Sequence, residues 1–244
     1  MNGLEDNLRS VQERIASAAE RAGRNPDEIT LVAVTKTRSP TIIRAAHQLG
    51  LRDFGENRVG EAESKVPELP DDIAWHMIGH IQSRKAKRVP PVFAMVHSVD
   101  SVKLARRLDR ACMGRTFPLA VLLEFNVSGE EAKYGFAADR WEQDDAQRSS
   151  LWSAAEQIVE LSNLRVQGLM TMAPVVADSE EARPVFARLR QLRDALATDF
   201  KGTDWSQLSM GMTDDFEVAI EEGATLVRVG RAIFDPDQPA ICKV

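Results

Sequence analysis

A lysine at the end of an apolar run is the residue of this chain best suited to covalent chemistry. Lys36 closes the run LVAVTK, in which two valines precede it. An amine that such neighbours desolvate has a lowered pKa and attacks a carbonyl carbon readily. The same lysine could instead begin a solvated loop that continues to Arg38. The pattern alone leaves both interpretations open.

A second group of candidate residues lies near the end of the chain, where Ser209 and the stretch Arg228–Arg231 each follow an apolar run. A glycine such as Gly230 lets backbone N–H groups approach an anion closely, and a helix N-terminus adds a favourable dipole. Arg231 would add charge to such a site or would face solvent. Taken alone, Gly230 is more typical of a plain turn.

Three further polar residues could line the same site. Asn57, in FGEN, could contact a ligand or cap the helix predicted to begin at Val59. His76 and His80 are four residues apart in one predicted strand, but no third metal ligand is evident. We therefore expect a structural or pocket-lining role for them and predict no metal site.

Four methionines cluster around two of the predicted strands: Met170, Met172, Met210 and Met212. Methionine usually fills irregular gaps in a core. That is the expectation for most of these four, while one or two could pack against a planar ligand ring.

These candidates need a scaffold that brings them together, and the chain alternates short apolar runs with helical patterns. Eight strands are predicted, at Ile29–Lys36, Leu51–Asn57, Ala74–His80, Met95–Asp100, Leu119–Val127, Leu164–Met172, Gln207–Met212 and Thr225–Phe234. Helices are predicted between them, at Pro40–Leu49, Val59–Lys65, Ser83–Val89, Val102–Cys112, Ser149–Ser162, Ser179–Thr198 and Asp214–Glu222, with an additional helix, Leu4–Ala22, before the first strand.

This alternation predicts an α/β fold, a single (β/α)8 TIM barrel. Near-continuous apolar strands are typical of parallel sheets that helices cover, and 244 residues suit a barrel of about 250 residues. An open doubly wound sheet is the rival, although no GxGxxG follows the first strand. In a barrel the candidates lie at the C-terminal strand ends, where barrel chemistry occurs, and phosphate often binds after strands 7 and 8.

Bulk properties are those of an ordinary globular domain, predicted to span residues 1–244. The net charge of −6 argues against a general nucleic-acid binder. Cys112 and Cys242 have no metal-ligand spacing and fit a reducing cytoplasm. The polar N-terminus is unlike a signal peptide, and no apolar run approaches the ~18 residues of a membrane span. We therefore predict a cytoplasmic protein.

Ordered motifs along the chain resemble those of one known family. They are LVAVTK ending at Lys36, FGENRVGEAESK at Phe54–Lys65, WHMIGHIQSRKAK at Trp75–Lys87, NVSGEEAKYGF at Asn126–Phe136, GLMTMAP at Gly168–Pro174, LSMGMTDDFEVAIEEG at Leu208–Gly223 and VRVGRAIF at Val227–Phe234. On these motifs the chain resembles the pyridoxal phosphate homeostasis protein (YggS/PROSC) family from the first helix to Phe234.

The resemblance implies a fold-type III barrel like the N-terminal domain of alanine racemase, with pyridoxal 5'-phosphate (PLP) as cofactor. It implies that Lys36 forms the internal aldimine, a Schiff base, and that Arg228 faces the pyridine nitrogen. It also implies that Ser209 and the backbone of Gly230 and Arg231 hold the phosphate, and that Asn57 and Met170 line the ring pocket.

The chain departs from the family pattern in three places. Arg231 stands where family members often carry Thr or Ser, and Asp235-Pro236 stands where they often carry Gly. The charged stretch Ala137–Arg148 is longer than usual, and we expect it to be a loop or a solvated helix start. These departures bear on how the phosphate is held.

The family resemblance implies a non-catalytic protein that holds, buffers or delivers PLP in vitamin B6 homeostasis, with PLP-dependent apoenzymes as recipients. An amino-acid racemase of the alanine racemase type is the alternative, and it would need a lysine and a tyrosine on opposite faces of the ligand. The only tyrosine, Tyr134, is expected to be an exposed loop side chain. A Schiff-base aldolase that uses Lys36 without a cofactor is a third possibility. In racemases of this fold, a second domain supplies the usual dimer contact. We expect that domain to be absent here and therefore expect a monomer.

Overall fold

The computed structural model describes residues 2–236 of the chain. Eight parallel strands form its barrel: β1 (Thr30–Val34), β2 (Asp53–Glu56), β3 (Ala74–Met77), β4 (Met95–Val99), β5 (Leu119–Asn126), β7 (Leu164–Met170), β8 (Gln207–Ser209) and β9 (Leu226–Val229). The strand order is β4-β3-β2-β1-β9-β8-β7-β5, and a further β4–β5 pairing closes the circle. The predicted barrel is therefore confirmed, and the open sheet is wrong. A two-residue strand, β6 (Phe136–Ala137), extends the end of β5.

Helices surround the barrel. They are α1 (Asn2–Arg21), α2 (Pro40–Gln48), α3 (Val59–Lys65), α4 (Val102–Ala111), α5 (Asp145–Val159), α6 (Arg183–Asp199), α7 (Phe216–Glu221) and α8 (Arg231–Phe234). Short 3-10 helices occupy Pro26–Glu28, Val66–Glu68, Ser83–Arg88 and Ser179–Ala182. The helix predicted at Ser83–Val89 is thus one 3-10 segment, not an α-helix. No helix among residues 2–236 is long and apolar enough to cross a membrane.

Two predicted boundaries were wrong in a way that matters for the site. The last predicted strand, Thr225–Phe234, is strand β9 followed by helix α8, because Gly230 leaves the extended conformation at φ −121° and ψ −69°. The predicted strand ending at His80 stops at Met77. Several candidate side chains therefore lie on loops at the mouth of the barrel rather than on strands.

The charged stretch Ala137–Arg148 contains one buried aromatic side chain, that of Trp141. Trp141 is buried and stacks on Trp152 with ring centroids 6.0 Å apart. Asp144 then caps α5 by accepting hydrogen bonds from two backbone N–H groups of its first turn. The expected helix start is present, but it is packed against the barrel rather than fully solvated.

The core has two parts. Most buried apolar side chains lie between the sheet and the helices, while a small cluster fills the inside of the barrel with Val32, Leu122, Met170 and Leu226. The first helix, α1, packs against a helix near the end of the chain, since Arg14 pairs with Glu217 of α7 at 2.8 Å. Cys112 is buried, and Cys242 lies outside the described residues.

Candidate functional site

Lys36 lies at the barrel mouth, two residues beyond the end of β1. Its side chain is exposed, so the desolvation expected from the neighbouring valines is not present. Its amine makes no hydrogen bond or ion pair with any other described residue. The neighbouring strand, β9, pairs Arg228 with Val32, so an arginine lies on the strand next to the one that leads to Lys36. An uncommitted primary amine is therefore available at the mouth.

A buried ionic network supports the loop that carries Lys36. Lys65 donates to the carbonyl oxygen of Thr35 at 2.8 Å and to Glu56 Oε1 at 2.7 Å, and it also pairs with Glu61. Glu61 in turn accepts from the backbone N–H of Thr37 at 2.5 Å. Thr37 has a left-handed φ of 62°, so this contact holds a turn that few side chains adopt.

Arg228 is the buried cation of the site, with 4% of its surface exposed. Its guanidinium donates to Ser209 Oγ at 2.6 Å and to the carbonyl oxygen of Thr171 at 2.9 Å. Burial lowers the pKa of Arg228 to about 10, and the nearby carboxylates of Asp215 and Glu124 oppose that shift. Arg228 therefore remains charged at neutral pH.

The hydroxyl of Ser209 is already used inside the barrel. Besides Arg228, it contacts His97 Nδ1 at 2.8 Å, and the residue is fully buried. His97 continues to His76 at 2.9 Å, and His76 to Asp53 at 2.9 Å. No pattern in the sequence singled out His97. Only the pairing of β3 with β4 places it beside His76.

Glu124 stands opposite Lys36, because β5 is four strands from β1 in either direction around the barrel. Its side chain is buried, and its Oε2 atom has no hydrogen-bond partner among the described residues. Desolvation raises the pKa of Glu124 to about 7, with a further contribution from Asp100, while Arg228 acts in the other direction.

His80 does not share a partner with His76. It pairs with Asp100 at 2.8 Å, and its ring stacks on Tyr134 at a centroid distance of 4.0 Å. Tyr134 is 53% exposed, as expected for a loop side chain. No group of three or more His, Cys, Asp or Glu side chains within residues 2–236 could hold a metal ion.

The remaining predicted residues have distinct surroundings. Asn57 is half-buried and does not cap α3, whose N-cap is Arg58. Met170 is fully buried within the barrel interior. A Cβ on Gly230 would lie 3.2 Å from the carbonyl oxygen of Val34, so glycine allows close packing of β9 against β1. Arg231 forms an ion pair with Asp214.

A cavity of about 760 Å³ lies beside the mouth, between α1, α8 and the loops that follow β7 and β8. Arg231 and Thr213 line it. Of the seven predicted cofactor residues, Arg231 alone does so. The cavity is therefore next to the predicted ring site and does not coincide with it.

Residues 7–237 match the family model described as alanine racemase, N-terminal domain. The chain is 43% identical over 235 residues to a pyridoxal phosphate homeostasis protein of Pseudomonas aeruginosa, covering 96% of both chains. It is 40% identical to one of Aquifex aeolicus, covering 96% of this chain and 98% of the other. The chain belongs to the pyridoxal phosphate homeostasis protein family.

Solved structures agree with this family assignment. PipY of Synechococcus elongatus with PLP bound has a TM-score of 0.76 and 34% identity, covering 92% of this chain and 99% of PipY. Alanine racemase of Clostridium difficile has a TM-score of 0.73 at 10% identity, covering 99% of this chain and 58% of the racemase. The racemase likeness concerns the fold alone.

Proposed function

We propose that this chain binds PLP covalently through Lys36 and holds it for delivery, without turnover of its own. The observation that carries the proposal is an uncommitted amine at the mouth of a racemase-type barrel, one strand away from a buried arginine. The curated relatives are named pyridoxal phosphate homeostasis proteins, and PipY is a family member with PLP bound. Together these support PLP as the ligand.

The residues at the mouth fit the cofactor. When bound, PLP supplies an electrophilic aldehyde and an electron-withdrawing ring. Lys36 would take the aldehyde, and Arg228 would face the pyridine nitrogen, where its positive charge disfavours a proton. Asn57 and Met170 would lie along the ring.

The phosphate end of the site is proposed at the start of α8. The backbone N–H groups of Gly230 and Arg231 would hold the phosphate, since first-turn N–H groups lack intrahelical partners. The family resemblance also implies that Ser209 helps to hold the phosphate. Because that hydroxyl already contacts His97 and Arg228, we propose that Ser209 acts through Arg228 instead.

Trapping the adduct tests the proposal. Protein incubated with PLP and reduced with borohydride should carry one added pyridoxyl phosphate group, located at Lys36 by peptide mass spectrometry. Lys36→Ala should lose the adduct, and Lys201→Ala, at another exposed lysine, should keep it. No adduct on the native chain, or equal labelling of several lysines, would contradict the assignment.

We propose a carrier rather than a racemase because the tyrosine that a racemase of this fold would use is an exposed loop side chain here. Tyr134 is the only tyrosine, and its ring stacks on His80 at the edge of the mouth. Purified protein with PLP should therefore not exchange the Cα hydrogen of alanine for deuterium at enzyme-like rates. Fast exchange that disappeared in Lys36→Ala would favour the racemase.

We also propose PLP-dependent apoenzymes as recipients of the cofactor, and a cytoplasmic monomer as the working form. The net charge of −6 supports the absence of nucleic acid from its partners. Size-exclusion chromatography with light scattering would test the oligomeric state, and cofactor transfer to a purified apoenzyme would test delivery.

A further inference from the structure

A continuous hydrogen-bonded chain crosses the inside of the barrel. It starts at Arg228, passes through Ser209, His97 and His76, and ends at Asp53, with each donor–acceptor distance between 2.6 and 2.9 Å. The three middle residues are buried, while the Asp53 side chain is 34% exposed. The chain thus links the buried cation to a carboxylate near the outside.

The chemistry of the end residues determines which way each hydrogen points. Arginine can only donate, so Ser209 Oγ accepts from Arg228 and uses its one hydrogen toward His97 Nδ1. No third described partner could take that hydrogen. His97 is neutral, because burial lowers its pKa well below the ordinary value, and nearby His76 and Arg228 lower it further. Its proton therefore lies on Nε2.

The same logic extends to the outer end of the chain. His97 Nε2 donates to His76 Nδ1, which leaves His76 Nε2–H to donate to the carboxylate of Asp53. Every hydrogen bond then runs in one direction, from the cation to the anion. Hydrogen bonds aligned in this way polarise one another and strengthen the whole series.

The neighbours of Arg228 show why it needs such support. The carboxylates of Glu124 and Asp215 are near enough to affect its pKa, but neither forms a hydrogen bond with it. Its two acceptors are instead neutral groups, Ser209 Oγ and the Thr171 carbonyl. Without Ser209, the guanidinium would keep only the Thr171 carbonyl as an acceptor, while both carboxylates still attract it.

We propose that Asp53, His76, His97 and Ser209 are positioning residues that hold Arg228 in one pose toward the pyridine nitrogen of the cofactor. The inference rests on the proposed function, because it assumes that PLP binds with that nitrogen facing Arg228. None of the four residues touches the cofactor in this arrangement.

The first experiment compares Ser209→Ala with Ser209→Thr, which keeps the hydroxyl. Loss of a hydrogen bond to a charged group should weaken PLP retention about tenfold in Ser209→Ala. The pH at which the bound cofactor's absorption spectrum changes should also rise by about half a unit or more, because a nearby positive charge is no longer fixed there. Ser209→Thr should restore both properties. Unchanged retention and an unchanged pH profile in Ser209→Ala would overturn the inference.

The second experiment needs no cofactor. Nitrogen NMR of ¹⁵N-labelled histidines should show His76 and His97 as neutral Nε2–H tautomers. Asp53→Asn should shift the ring signals of both histidines. The matched change Asp72→Asn should shift only His47, which forms a comparable Asp–His pair at the surface. A proton on His97 Nδ1, or no effect of Asp53→Asn on His97, would overturn the chain.

The two experiments separate failure of this inference from failure of the proposed function. If native protein forms no adduct on Lys36, the proposed function fails, while NMR still reads the hydrogen-bonded chain. If the adduct forms and Ser209→Ala leaves cofactor retention and the pH profile unchanged, only the positioning role fails.

Discussion

Glu124 is a buried acid that forms no ion pair with another described residue. Its Oε2 atom lacks a partner within the described residues, and its pKa is raised from 4.5 to about 7. A raised pKa means that the folded state binds this proton more tightly than the unfolded chain does. The stability from this group is therefore complete below pH 4.5 and is lost as the pH rises through about 7.

Glu124→Gln should remove this pH dependence, because an amide stays neutral. At pH 8 the variant should be more stable than the native protein by up to about 3 kcal/mol, and at pH 4.5 the difference should vanish. Urea unfolding at both pH values measures this, with the exposed Glu13→Gln as the matched control. A parallel loss of stability in the native protein and in Glu124→Gln would contradict the assignment.

At the scale of elements, the β1–α2 loop depends on one lysine of α3. Lys65 is 8% exposed and pairs with Glu56, which is fully buried and whose pKa burial raises despite that pairing. Removing one partner of a buried ion pair leaves an uncompensated charge, whereas removing both is far less costly. The supporting network can therefore be dissected by a double-mutant cycle.

Lys65→Met should lower the free energy of unfolding by about 3–5 kcal/mol, and Lys65→Met with Glu56→Gln should recover much of that loss. The single variant should also form the Lys36 adduct more slowly, because the turn at Thr37 loses its support. Urea unfolding and adduct kinetics measure the two effects. Lys87→Met, at an exposed lysine, is the control. A double variant as unstable as Lys65→Met would argue against the ion pair.

The sequence predicted the helices and strands better than it predicted the contacts between neighbouring strands. Lys36 and Arg228 could be found because Lys36 follows the apolar strand β1 and Arg228 is the one charged residue of the apolar strand β9. His97 could not, because its role depends on which strands are neighbours and on the register between them. Gly168 is similar: a Cβ there would lie 1.8 Å from the carbonyl oxygen of Gln207, a contact that no local pattern reveals.

At the scale of the whole molecule, the proposed site lies where the first and last strands of the barrel pair with each other. Lys36 follows β1, the first strand, and Arg228 lies on β9, the last, with the two strands paired side by side. The segment after α1 reinforces the same junction, since Arg24 donates to the carbonyl oxygens of Ile220 and Ala224 at 2.8 Å. A ligand that contacts both strands would therefore oppose separation of β1 from β9.

PLP should accordingly stabilise the entire fold and not only the mouth. A ligand that binds only the folded state, at a free concentration 100-fold above its Kd, adds about 2.7 kcal/mol to the free energy of unfolding. For a chain of this length that corresponds to a rise in Tm of about 5–10 °C. Scanning calorimetry with and without PLP should show this rise for the native protein and for Lys201→Ala, and little of it for Lys36→Ala. An equal rise in Lys36→Ala would mean that the stabilising contacts come from the phosphate and ring alone, with no contribution from a bond to the amine.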